Sequence, residues 1–152
     1  MAAHELDRNR LKDLLNEDLS REYQAIIAYV VYSQVLKGAQ YMSIASQLEE
    51  HAAQELDHAL KISQQIDYLG GMPNATPKPV KLTENAEEML RADLDNERVT
   101  IANYRTRVRQ ADALGEFAMS EILREILVQE QDHLIDLATA LGIDPPDPGE
   151  AK

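Results

Sequence analysis

Apolar residues recur at a seven-residue spacing in four stretches of the chain, and helix breakers fall only between those stretches. The breakers are Gly38, the segment 69–82 with the sequence LGGMPNATPKPVKL, Gly115, and a tail running from Gly142 through Pro145, Pro146 and Pro148. The intervening stretches, roughly 5–37, 40–68, 83–112 and 115–141, are dominated by Ala, Leu, Glu, Gln and Arg. These residues lose little rotamer freedom in a helix, so four helices are predicted. Gly38 and the Asp112 to Gly115 region allow only short turns, which make antiparallel neighbours. The middle connection holds three prolines and is long enough to cross the bundle. Gly70 and Gly71 suit a helix C-cap, and Thr83 suits an N-cap, with Glu84, Glu87 and Glu88 placing negative charge in the turn that follows.

The repeat also says which faces point inward. In the first helix Leu15, Glu22 and Tyr29 share one register, and Leu19, Ile26 and Ser33 its partner. In the second the register is Leu48, Glu55, Ile62 and Leu69, with His51 and His58 beside it. In the third, Leu90, Glu97 and Tyr104 alternate with Leu94, Ile101 and Val108. In the fourth, Leu123, Glu130 and Leu137 alternate with Ile126, His133 and Ala140. A glutamate therefore interrupts the apolar stripe of every helix near its middle, and two helices add a histidine three residues later.

Composition narrows what such interruptions can mean. A chain of 152 residues fits one domain, spanning 1–152, with 143–152 expected to be a flexible tail. The absence of cysteine excludes disulfides and thiolate metal sites, leaving nitrogen and oxygen as metal donors. The N-terminus lacks a continuous apolar segment and nothing resembles a membrane span, so a soluble, cytoplasmic protein without membrane partners is expected. The net charge of −12 disfavours nucleic acid as a partner and favours cations.

Spacing sharpens the picture. Adding 75 to Glu22, Tyr29, Glu55 and His58 gives Glu97, Tyr104, Glu130 and His133, residues of the same four types. An internal two-fold repeat follows, each helix pair contributing one Glu, one Glu-x-x-His and one Tyr. A lone carboxylate at mid-bundle costs several kcal/mol to desolvate, and four together repel one another. Two divalent cations would neutralise four carboxylates, and residues three apart on a helix offer an oxygen and a nitrogen to one ion. Glu22, Glu55, His58, Glu97, Glu130 and His133 are therefore the candidate metal ligands. The competing reading is a metal-free interaction bundle whose charges are solvated or mutually hydrogen-bonded.

Tyr29 and Tyr104 lie two turns after Glu22 and Glu97. Their hydroxyls are candidate hydrogen-bond donors to the site or electron sources, and ordinary buried tyrosines fit them equally. His51 is expected at the core edge or surface, with an inward extension of metal binding as the alternative, Glu49 and Glu50 on a solvated face, with an acidic cation-entry or inner-surface role as theirs, and His4 in a terminus without signal.

The motifs 20-SREYQAIIAY-29, 55-ELDHA-59, 69-LGGMPN-74, 88-EMLRADLDNE-97 and 122-ILREILVQEQDHL-134 resemble those of a bacterioferritin-type member of the ferritin-like di-iron superfamily, over about Leu11 to Leu141. The resemblance implies an all-α, ferritin-like four-helix bundle with one long crossover between helices 2 and 3. It implies two iron ions per subunit: one on Glu22 and His58, one on Glu97 and His133, with Glu55 and Glu130 bridging. Ligand type alone fits manganese or a mixed pair as well. The implied activity is ferroxidase, oxidation of Fe(II) by O2 or H2O2 for iron storage or detoxification. A rubrerythrin-like peroxide reductase, with a cycling centre and an external electron donor, is the alternative. Leu56 stands where the family's haem-binding members carry methionine, so haem is not expected. The tail is too rich in proline for the fifth helix of the family's large cages, which leaves the homo-oligomer a dimer or a larger shell.

Overall fold

The computed structural model describes residues 5–151, so His4 lies outside the described residues. Four helices form: α1 (Arg8–Val35), α2 (Met42–Tyr68), α3 (Ala86–Ala113) and α4 (Phe117–Leu141), with one 3₁₀ turn at Ala39–Tyr41. Among the described residues there is no strand, and no helix is long and apolar enough to cross a membrane. Helices α1 and α2 form one antiparallel pair and α3 and α4 the other, as the short joints require.

Local chemistry sets the helix ends. The Asp7 side chain accepts from the Arg10 amide at 2.7 Å and starts α1. Helix α2 stops because Gly70, at φ +84°, turns the chain left-handed. The Gly71 and Gly70 amides then bond back to the Ile66 and Asp67 carbonyls at 2.9 Å each. At the start of α3 the expected cap is displaced by two residues: Asn85, not Thr83, accepts from the Glu88 amide at 2.9 Å. Thr83 instead accepts from the Asn85 amide at 3.1 Å and donates to the Glu88 carboxylate at 2.7 Å, so it braces the capping residue.

The crossover, residues 69–85, lies along a polar row on α1. Asn16 and Asn74 exchange three hydrogen bonds of 2.6 to 3.2 Å, and the Asn16 amide also reaches the Met72 carbonyl at 3.2 Å. Further along α1, Ser20 accepts the Lys78 amide, Tyr23 donates to the Asn74 carbonyl and Gln24 to that of Pro79. Backbone groups of a proline-containing segment are thereby satisfied without a sheet or helix.

The inward register holds for most of the positions named from the sequence; Ile26, Leu69 and Ala140 are only half-buried. The apolar core is split in two. One cluster holds Leu11, Leu15, Leu19, Ile62, Ile66, Met119 and Leu123, and the other Tyr32, Leu36, Leu48, Met89, Leu90 and Leu137. Between them lies a layer of polar side chains. The tail, expected to be flexible, is instead laid against α3: the Ala151 amide bonds to the Ala102 carbonyl, Arg105 to the Gly149 carbonyl and Arg109 to Glu150.

The crossover anchor is open to direct measurement. Asn74→Ala removes the two bonds its side-chain amide donates to Asn16 and the two its side-chain oxygen accepts from Ser20 and the Thr76 amide, and is expected to lower stability by about 2 kcal/mol in a denaturant titration. Thr76→Ala, which leaves those bonds in place, is expected to change it by less than about 0.5 kcal/mol.

Candidate metal centre

Each helix delivers its part of the polar layer from the middle of its length. Glu22 comes from α1, Glu55 and His58 from α2, Glu97 from α3, and Glu130 and His133 from α4, and none is more than 2% exposed. His58 Nδ1 lies 2.8 Å from Glu130 and 3.6 Å from both Glu22 and Glu55. His133 Nδ1 lies 3.0 Å from Glu55, 3.5 Å from Glu97 and 3.9 Å from Glu130. The six residues thus make two overlapping groups, Glu22–Glu55–His58–Glu130 and Glu55–Glu97–Glu130–His133. In each, the donor atoms lie within 4.8 Å of one another. Glu55 and Glu130 belong to both.

Two residue pairs that the sequence reading passed over fix the imidazoles. His58 Nε2 meets the Gln129 side-chain oxygen at 2.5 Å, and His133 Nε2 meets that of Gln54 at 2.6 Å. An amide oxygen only accepts, so each Nε2 carries the proton and each Nδ1 faces the carboxylates. The signal was present in the sequence: Gln54 and Gln129 precede the two motif glutamates and are themselves 75 apart. Tyr29 donates to Glu97, and Tyr104 to Glu22, at 2.5 Å each, so the tyrosines cross between the helix pairs. Also unforeseen is the buried pair of Asp18 and Arg107, at 2.6 and 2.9 Å. His51, beside the inward register of the second helix, is 3% exposed, deeper than the core edge or surface, and stacks on His133 at 3.9 Å. Its Nε2 meets Asp136 at 3.2 Å, and it belongs to neither donor group. Glu49 and Glu50 are exposed.

Burial and mutual repulsion divide the carboxyls. Burial, then the charges of Glu22 and Glu97, pushes Glu55 well above the carboxylate range. Burial and its three neighbours do the same to Glu130. For Glu22 burial also acts upward, but the polar neighbours Glu55 and His58 and the hydrogen bond from Tyr104 outweigh it and the carboxyl is held low. Glu97 is likewise pulled down, to about 2, by Glu130, His133 and Tyr29 against its burial. Burial opposes protonation of His58 and His133, but the surrounding carboxylates raise both above their ordinary value. In the metal-free layer these shifts favour protons on Glu55, Glu130 and the two imidazoles over protons on Glu22 and Glu97.

The donor set fits divalent cations. Both oxygens of Glu55 and of Glu130, one oxygen each of Glu22 and Glu97, and both Nδ1 atoms are fully buried without a hydrogen-bond partner. So many orphaned atoms facing one another are costly in a protein interior, and a metal ion is the ligand that satisfies them all at once. A surface cleft of about 580 Å³ lined by Val31, Val35, Lys37, Leu82, Thr83 and Glu84 lies away from the hexad.

These shifts fix the sign of a pH dependence. Groups whose folded pKa is raised hold protons that the unfolded chain releases, so stability falls as pH rises. Glu55 and Glu130 contribute this loss above about 4.5, and His58 and His133 above about 6.5. The melting temperature of metal-free protein is expected to fall steadily between about pH 6 and 9, and saturating Zn(II) to abolish the fall. A flat or rising profile without metal would contradict the protonation pattern.

Residues 12–144 match the family of ferritin-like domains. The chain is 30% identical to a bacterioferritin of Brucella melitensis, over 85% of this chain and 81% of that protein. It superposes with a TM-score of 0.85 on a solved Bacillus anthracis chain described as a ferritin-like, diiron-carboxylate protein, at 32% identity and covering 92% of this chain and 99% of that one. A dodecameric thioferritin of Bacteroides fragilis, described as a bacterioferritin-related protein, superposes with a TM-score of 0.83 at 28% identity, covering 90% and 87%. With the bundle, the crossover and the repeated Glu and Glu-x-x-His pattern in place, the chain belongs to the ferritin-like domain family as a bacterioferritin-type member.

Proposed function

We propose that the six buried side chains bind two Fe(II) ions and that the protein is a ferroxidase, oxidising them with O2 or H2O2 for iron storage or detoxification. One observation carries this reading: eight orphaned donor atoms, from four glutamates and two histidines, face one another in an otherwise apolar interior. Glu22 and His58 hold one ion, Glu97 and His133 the other, and Glu55 and Glu130, common to both donor groups, bridge them. The charges support the same count. Two divalent ions balance four carboxylates, with the imidazoles neutral as ligands.

Iron supplies the redox chemistry: two Fe(II) each lose one electron, and H2O2 with two protons leaves as two waters, or O2 with two protons leaves as H2O2. The chain's own residues arrange this. Gln54 and Gln129 keep the Nδ1 lone pairs aimed inward. Tyr29 and Tyr104 orient the terminal carboxylates, and are placed to give up an electron at the same spot. The apolar clusters above and below exclude water from the layer. A homo-oligomer is supported by the dodecamer of the Bacteroides fragilis relative and by Leu56 and Leu60, 53% and 64% exposed one turn apart on α2. With Leu56 in place of a thioether, haem is not part of this reading.

Glu55→Ala and Glu130→Ala are each expected to abolish most of the Fe(II) oxidation rate in stopped-flow absorbance; parental rates would remove the bridging roles. Gln54→Leu, which keeps the ligands and loosens one imidazole, is expected to weaken metal affinity about 10- to 100-fold. Loading metal-free protein with Fe(II) in air, with Mn(II) as comparison, separates storage from a cycling peroxide reductase. Storage gives many irons per subunit in a large particle, and the reductase stops at about two.

A further inference from the structure

The 75-residue repeat places Asp18 and Asp93 at the same point, one helical turn before Glu22 and Glu97, and both are buried, at 3% and 2% exposed. Their surroundings differ. Asp18 is closed off by Arg107, which donates to both of its oxygens and uses a third nitrogen on Gln110 at 2.7 Å. The residue related to Arg107 by the repeat is Tyr32, whose hydroxyl donates to the Lys81 carbonyl. Asp93, one helical turn before Glu97, is left with Oδ2 buried and without a hydrogen-bond partner. A second departure falls on the same side: His51, at the position where the other half has Ile126, stacks on His133 and rests on Asp136.

From these contacts we infer that the two metal positions are unequal, and that the Glu97–His133 position fills before the Glu22–His58 position, with Asp93 as the residue that sets the order. The inference rests on the two-metal reading of the hexad. A cation arriving beside Glu97 meets a buried carboxyl group that no guanidinium engages, and its field acts favourably on that group's unpartnered oxygen across a dry interior. A cation arriving beside Glu22 meets Asp18 already neutralised by a guanidinium, and gains nothing from it. His51 adds to the bias: its packing on His133 restrains that ring in the ligating orientation, where the other half offers only Ile126. Asp93 thus acts as a positioning residue rather than a ligand, since it belongs to neither donor group.

The test is anaerobic titration of the full metal-free protein with Co(II), followed by calorimetry and by the visible bands of the bound ion. The parent is expected to take up two ions in steps separated by at least about tenfold in affinity. Asp93→Asn, nearly the same shape, is expected to weaken the first step about tenfold and leave the second in place, with far-UV circular dichroism unchanged. Glu97→Gln is expected to remove the tighter step, and Glu22→Gln the weaker one. Two equal steps in the parent, an unchanged separation in Asp93→Asn, or loss of the tighter step in Glu22→Gln would each overturn the order of filling while leaving the two-metal centre standing. Failure of the parent to bind Co(II) at all would overturn the centre itself.

Discussion

Four carboxyl groups and two imidazoles share one dry layer of this bundle, and the rest of the structure is arranged around the cost of that layer. Desolvating one unpaired charge takes several kcal/mol, a large share of the net stability of a domain of this size. The layer is tolerable only when its charges cancel, with protons or with cations. The apolar clusters on either side allow this, because they supply the burial that holds four helices together across a polar gap. The crossover is clamped to α1 by the Asn16–Asn74 bonds, which fixes the relation of one helix pair to the other.

Each half orients the chemistry of the other. The glutamine that aims a histidine comes from the opposite helix pair, and so does the tyrosine that holds a glutamate. Such cross-bonding makes the layer a property of the whole bundle rather than of one helix hairpin. It also explains why the repeat retains Gln, Glu, His and Tyr together: losing one leaves a buried partner unsatisfied in the other half. Where the repeat breaks, at Asp18 with Arg107 against Asp93 with Tyr32, the two halves acquire different electrostatic surroundings.

What could be read from the sequence follows from the physical range of each signal. Helix faces are written at a local spacing, so a glutamate interrupting Leu15, Leu19 and Tyr29, or Leu123, Ile126 and Leu137, stands out without coordinates. The constant offset of 75 then ties the four interruptions together. Gln54 and Gln129 were overlooked because a half-buried glutamine beside an acidic residue looks like ordinary helix surface; only the chain across the bundle gives it a task. Asp18 and Arg107 are 89 residues apart, and no local pattern links them. His51 sits one turn from Glu55, and its local spacing does not distinguish the rim of the core from its interior; the partner that buries it, His133, lies on another helix. The α3 cap shifted from Thr83 to Asn85 because either side chain can cap, and competition between two neighbouring caps is decided by backbone geometry. Prolines in the tail exclude helix but not an extended run bonded to α3.

The most direct measurement is anomalous X-ray diffraction from crystals loaded anaerobically with Fe(II), collected on both sides of the iron edge. If buried carboxylates are tolerated here because cations neutralise them, two anomalous peaks per subunit will lie between the apolar clusters. One will sit against Glu22 and His58 and the other against Glu97 and His133, with Glu55 and Glu130 touching both. Peaks confined to the acidic surface, or an apolar interior free of anomalous signal at saturating iron, would contradict it.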